Sequence, residues 1–332
     1  MTAPSAAPLL DLAEEWGGRG QLADLGGPVH WVEFRGPYAA EPAPAAGPGP
    51  SEAEPSGESQ SDGPTPLVLV HGLGGSHLNW VQVAPALAQQ RRVVAIDLAG
   101  FGLTPGHPRD TSVPANVALL GRFLREVVGG PAVVVGNSMG GMIALLLADT
   151  HPDLVAGLVL VDPSIPTGRA RLDPVVALQF GVYWAPKLGE GALARFRERN
   201  SPRQRVNGTL KLCFADLTRA DLDVVDAGVR LLAHRDTLGD ADASFLAAAR
   251  SLLSVLRRGR RYLAAIEGVT APVLLLHGEL DRLVPVTAAR RLAAMNPSWH
   301  TEWFHGVGHT PQLEVPDRFV EATERWLHDT SL

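Results

Sequence analysis

The sequence predicts an α/β protein built on a mostly parallel, doubly wound sheet, with a helical segment inserted late in the chain. Three observations lead there. Short apolar runs at 67–70 (LVLV), 132–135 (AVVV), 157–161 (GLVLV) and 272–276 (PVLLL) have the length and branching of strands buried on both faces. Helical patterns fall between most of them, which is the alternation of a parallel sheet. Between residues 164 and 267 the alternation stops and only helical patterns remain.

The elements can be justified in order. Residues 20–25 and 29–34 read as two short strands joined at Gly26-Gly27-Pro28. Residues 37–66 are rich in Pro, Ala, Gly, Ser and Glu, carry no Lys or Arg, and have Tyr38 as their one aromatic residue. Such a segment buries too little apolar surface to offset its ordering entropy, so a flexible insertion is expected. The strand 67–70 then runs into HGLGG (71–75), and 93–97 (VVAID) runs into DLAGFG (97–102). Asp97 is expected to fix that second loop rather than to do chemistry. A helical stretch at 113–128 precedes the strand 132–135, and the apolar run 142–148 (MIALLLA) follows it.

After 157–161 the chain reaches Asp162-Pro163 and the periodicity changes. Helical stretches are expected at 171–182, 209–217, 221–233 and 242–258, before strands at 272–276 and 300–304 (HTEWF) restore the earlier pattern. The division that follows is a core of residues 1–163 and 268–332 with a helical cap at 164–267. A cap covers a site and excludes water. Leu178, Phe180, Tyr183 and Trp184 are candidates to line its pocket or to pack between its helices.

The chemistry centres on Gly136-Asn137-Ser138-Met139-Gly140, between a strand and a helix. A sharp turn there exposes a serine hydroxyl above the sheet edge, and small residues two before and two after the serine let strand and helix approach. A serine nucleophile needs a base and an orienting acid. His309 in GHTPQLEVP (308–316) and Asp281 in HGELDRLVP (277–285) each lie just past a predicted strand. Open α/β sheets hold their ligands at that edge. Asp162 also ends a strand and is the rival acid. His71, His277 and His305 are rival histidines, the first two read as structural. Acyl transfer also needs donors aimed at an oxyanion. The backbone N–H groups of Leu73, in HGLGG, and Met139 are the candidates.

These motifs, in the order HGLGG, DLAGFG, GNSMGG, HGELDRLVP and GHTPQLEVP, resemble the α/β-hydrolase fold, in its serine esterase, lipase and C–C hydrolase branch. The resemblance spans about residues 67–316, with 163–267 matching only as a variable lid. It implies the triad Ser138, Asp281 and His309 and a carboxylic ester substrate of apolar character, cleaved through an acyl-enzyme. Relatives with an aspartate nucleophile, the haloalkane dehalogenases and epoxide hydrolases, are set aside because residue 138 is serine. The C–C hydrolases of aromatic ring fission often share GNSMGG but tend to carry tryptophan after the histidine, where this chain has Thr310. C–C hydrolysis, other acyl chemistry and a non-catalytic ligand-binding role remain the alternatives.

Composition is consistent with an enzyme acting on small molecules. The chain has 332 residues, is 45% hydrophobic and carries a net charge of −6, so it can bury a large core and lacks the character of a nucleic-acid-binding protein. Arg257, Arg258, Arg260 and Arg261 sit beside Leu252, Leu253, Leu256 and Leu263, as a solvated helix face or a weak contact for anionic lipid. The single cysteine, Cys213, excludes an internal disulfide and is expected to be a small apolar filler. No stretch is long and apolar enough to span a bilayer, and the N-terminus lacks the features of a leader, so a cytoplasmic protein is expected. No dinucleotide fingerprint or metal-ligand spacing is present, and no cofactor is expected. Oligomeric state is not legible.

Overall fold

The computed structural model describes residues 10–36, 63–168 and 170–332. The expected insertion at 37–66 lies outside them, except for residues 63–66. β1 (Gly18–Asp24) and β2 (Pro28–Phe34) form an antiparallel hairpin. They are followed by β3 (Leu67–Val70), β4 (Val93–Ile96), β5 (Ala132–Asn137), β6 (Val155–Val161), β7 (Val273–Gly278) and β8 (His300–Phe304). The eight strands make one sheet in the order β1-β2-β4-β3-β5-β6-β7-β8. β2 meets β4 antiparallel, and all pairings from β4 to β8 are parallel.

This order has a functional consequence. The chain steps from β3 outward to β4, then crosses back to the other side of β3 to form β5. The winding reverses at β3, and the crevice beyond the C-terminal ends of β3 and β5 is where such sheets hold ligands. The HGLGG loop leaves the sheet from β3 and Ser138 leaves it from β5.

Alternate residues of the central strands face opposite layers. Val68, Val70, Val134, Leu158 and Leu275 pack with Phe123, Ile143, Leu147 and Tyr262 on one side. Leu67, Leu69, Val133, Val135, Val159 and Leu276 pack with Trp80, Phe319 and Trp326 on the other. Both faces are dry, which is why the strands read as continuous apolar runs rather than alternating ones.

Between β6 and β7 the described chain forms six α-helices: Pro174–Trp184, Leu188–Arg199, Pro202–Cys213, Leu222–Leu238, Ala241–Arg257 and Gly259–Glu267. Local chemistry starts several of them. Asp173 accepts from the N–H groups of Val175 and Val176 and is followed by Pro174. Ser201 and Gln204 form a reciprocal cap around Pro202. That cap explains why the stretch expected at 209–217 begins earlier; the helix ends at Cys213, where Phe214 turns extended. Buried Arg235 ties this region to the 97–104 loop, donating to the carbonyls of Gly100 at 2.7 Å and Thr104 at 3.3 Å. The last helix, Gly259–Glu267, sends Tyr262 and Ile266 into the core under the sheet.

Candidate active site

Ser138 caps the helix Met139–Thr150 with φ 55° and ψ −115°, outside the regions an ordinary residue adopts. Strain of this kind is maintained only where the surroundings over-determine it. Here they do. The Ser138 N–H donates to the Val161 carbonyl at 2.9 Å, and its carbonyl accepts from Met142 and Ser164. A Cβ on Gly136 would lie 2.6 Å from the Gly140 carbonyl, and one on Gly140 would overlap the Val70 and His71 carbonyl oxygens. The two flanking glycines are therefore required by close backbone approach. The Ser138 side chain hydrogen-bonds the Ser164 hydroxyl at 3.3 Å rather than an imidazole.

His309 is buried, and its Nδ1 lies 2.7 Å from Asp281 Oδ2. A carboxylate accepts, so Nδ1 carries the proton and Nε2 is left with a lone pair. The other Asp281 oxygen accepts from the N–H groups of Leu283 at 2.7 Å and Val284 at 3.0 Å. Burial pushes the Asp281 carboxyl up, but the adjacent His309 and these hydrogen bonds outweigh it and hold the group below its ordinary value. The backbone of His309 is fixed as well. Its N–H donates to the Cys213 carbonyl at 2.6 Å, and its carbonyl accepts from Asn137 Nδ2 at 3.1 Å.

Met139 is the first residue of its helix, where backbone N–H groups have no intrahelical acceptor. The Leu73 N–H has no protein acceptor among the described residues. Gly72 brings the Leu73 loop against Ser138, since a Cβ there would stand 3.0 Å from the Ser138 Cβ. Beyond it, Phe245 lies over Gly74, Tyr183 meets Phe245 edge-on at 5.2 Å, and Phe180 meets Tyr183 at 6.0 Å. Of the pocket candidates, Phe180 and Tyr183 thus join an aromatic path to the HGLGG loop. Leu178 is 71% exposed, and Trp184 lies at the surface under Arg257, 4.9 Å away.

The other singled-out residues fall into supporting places. Asp97 is fully buried and accepts from the rings of His30 and His77 and from the N–H groups of His77 and Leu103. Burial opposes its charge, yet those partners hold it well below the usual carboxylate range. His71 bonds the Gly72 carbonyl through Nδ1 and accepts from the Leu98 N–H at Nε2. His277 donates from Nε2 to the Val284 carbonyl. His305 has a side chain 93% exposed and pairs with Glu279. Burial pushes the Cys213 thiol up to about 12. Two buried trios, His30-His77-Asp97 and Asp162-His277-Asp281, bring potential metal ligands within 4.8 Å of one another. In the first, the carboxylate is already saturated by protein donors.

Three contributors were missed in the sequence. Glu314 is buried and gathers four donors: the N–H groups of Gly308, Ala215 and Asp216, and the Arg219 guanidinium. It joins the segment after helix Pro202–Cys213 to the His309 loop. Its signal was an acid inside the short apolar run PQLEVP. Asn137 and Ser164 left only the strings GNS and DPS.

Residues 67–322 match the model of the alpha/beta hydrolase family. The chain is 29% identical over 271 residues to a 2-hydroxy-6-oxo-6-(2'-aminophenyl)hexa-2,4-dienoic acid hydrolase of Metapseudomonas resinovorans, covering 79% of this chain and 83% of that one. It is 30% identical over 265 residues to a pimeloyl-[acyl-carrier protein] methyl ester esterase of Aromatoleum aromaticum, covering 76% and 93%. The crystal structure of a thermophilic esterase from Thermogutta terrifontis shares the fold, with a TM-score of 0.63 at 23% identity over 94% and 98% of the two chains.

Proposed function

The chain belongs to the alpha/beta hydrolase family, and we propose that within it this protein is a serine hydrolase that cleaves carboxylic esters of apolar acids or alcohols through an acyl-enzyme. The observation that carries this reading is the 2.7 Å His309–Asp281 pair at the same sheet edge as the strained Ser138. His309 Nε2 takes the proton as Ser138 Oγ attacks the carbonyl carbon. Substrate binding turns the Ser138 hydroxyl from Ser164 to His309, a contact that commonly tightens only in the complex. The N–H groups of Leu73 and Met139 hold the oxyanion, and Asp281 keeps the Nδ1–H tautomer and stabilises the imidazolium. His309 then gives its proton to the leaving alcohol, and water activated by the same imidazole releases the acid. Helices of the 164–267 region act as the cap, with Phe245 and Tyr183 walling the acyl side. The Arg257–Arg261 cluster gives that cap at most a weak contact with anionic lipid.

A second reading, C–C hydrolysis of a ring-fission dienone, is favoured by the GNSMGG string and by the Metapseudomonas relative. Turnover of p-nitrophenyl esters from acetate to palmitate, with Ser138→Ala as the blank, separates the two. Serine-dependent release at one preferred chain length is the expected result. Folded protein that labels at Ser138 with a fluorophosphonate but turns over only dienones would transfer the assignment to the second reading. Folded protein that neither labels nor turns over would leave a ligand-binding role.

A further inference from the structure

Behind the His309–Asp281 pair lies a second acid that the mechanism above does not use. Asp162 follows β6, is fully buried, and has φ 45°. Its N–H extends the sheet to the Leu276 carbonyl at 2.9 Å, and Oδ1 accepts from the Gly278 N–H at 2.9 Å. Oδ2 has no hydrogen-bond partner among the described residues. Asp162 therefore faces the loop that carries Asp281, where oxygens of both acids and a ring nitrogen of His277 lie within 4.8 Å of one another.

The polarity of the surrounding groups decides its protonation. His277 Nε2 is committed to the Val284 carbonyl, so the neutral ring presents a lone pair at Nδ1, 3.5 Å from Asp162 Oδ1. Burial keeps that ring neutral, pushing its pKa down. Asp281 is the other neighbour, and it is held as an anion by His309. An anionic Asp162 would face a carboxylate and a lone pair with only the Gly278 N–H to balance them. Two carboxylates in one dry site do not both ionise. The remaining ionisable groups acting on the pair are Glu314, a further acid, and Cys213, whose thiol holds its proton. None of them supplies a cation to Asp162. Burial and the Asp281 charge push the Asp162 carboxyl well above the usual range, in agreement with the hydrogen-bond count.

We propose that Asp162 is a positioning residue that works as the neutral acid, directing its proton onto the Asp281 carboxylate and so limiting how basic His309 becomes. This rests on the serine-hydrolase reading. In this role Asp162→Asn is a faithful substitute, because the amide keeps an acceptor for Gly278 and an N–H for Asp281. Asp162→Leu is not, since Asp281 then pulls harder on the imidazole.

The test pairs kinetics with a spectroscopic readout that needs no turnover. On p-nitrophenyl butyrate, Asp162→Asn retains kcat/KM within about threefold with the acidic limb of its pH profile unmoved. Asp162→Leu loses roughly tenfold, with that limb raised by ~0.5 unit or more. Infrared difference spectra of wild type minus Asp162→Asn at neutral pH show a protonated-carboxyl band. A missing band overturns the proposal whatever the enzyme hydrolyses. So does an Asn variant as inactive as Asp281→Asn, which would make Asp162 a working anion, or a folded Leu variant with an unmoved profile. Failure of Ser138 to label, with the band present, strikes the hydrolase reading instead.

Discussion

Glu314→Gln tests how the His309 loop is held. The wild-type carboxylate serves four donors at two oxygens. Oε2 takes Gly308 N–H at 2.8 Å and Ala215 N–H at 3.1 Å, while Oε1 takes Asp216 N–H at 3.0 Å and Arg219 Nη1 at 3.1 Å. A glutamine has one oxygen and turns its NH₂ toward donors on the other side. With the oxygen on Gly308 and Ala215, Asp216 loses its acceptor and Arg219 loses a charge. The Arg219 side chain is 37% exposed and finds water, so its loss counts for little. The stranded Asp216 N–H costs about 1–3 kcal/mol. The opposite orientation strands two backbone donors and costs more. Glu314→Gln is therefore expected to lower stability by about 2 kcal/mol in urea unfolding with an unchanged m value.

Glu314→Ala carries the same reasoning to function. All four donors lose the carboxylate, including the Gly308 N–H one residue before His309. A small displacement of that imidazole is expected to lower kcat/KM on a p-nitrophenyl ester by about 10²-fold, while fluorophosphonate labelling of Ser138 becomes slow rather than absent. A Gln variant within about 0.5 kcal/mol of wild type, together with an Ala variant of full turnover, would refute the claim that this carboxylate clamps the loop.

Other consequences are equally direct. Gly140→Ala forces a methyl group against the Val70 and His71 carbonyl oxygens, which are backbone and cannot rotate away; a loss of at least about 3 kcal/mol, or no folded protein, is expected from thermal unfolding. Asp162 has a raised folded-state pKa, so its contribution is undiminished below the unfolded value and declines as pH rises from there to the folded value, by about 1.4 kcal/mol per pH unit. Asp162→Asn should therefore gain stability relative to wild type as pH rises above the ordinary carboxylate range; a difference independent of pH would contradict a neutral Asp162. Cys213, pushed up to about 12, is expected to resist disulfide reagents at pH 8 in the native protein and to react at once in urea.

The contrast between what was legible in the sequence and what was not follows chain contiguity. Every strand expected from an apolar run is present within a few residues, because burial on both faces leaves an unbroken local signature. Ser138 was legible as a candidate because its turn needs small residues at fixed offsets, and Asp281 and His309 because each lies just past a strand at the ligand edge. Helix starts in the 164–267 region were less legible: capping at Ser201 moves one start ahead of its apolar periodicity. Apart from Asp281, the support of His309 was not legible. Asn137 takes its carbonyl, Cys213 its N–H, and Glu314 the N–H of the residue before it. Those residues come from β5, the end of helix Pro202–Cys213 and the segment after His309 itself. No periodicity spans such separations, and each residue alone reads as ordinary. The consequence is that substitutions at Asn137 or Glu314 should act on the imidazole strongly, though within GNSMGG and GHTPQLEVP the residues that stand out are Ser138 and His309.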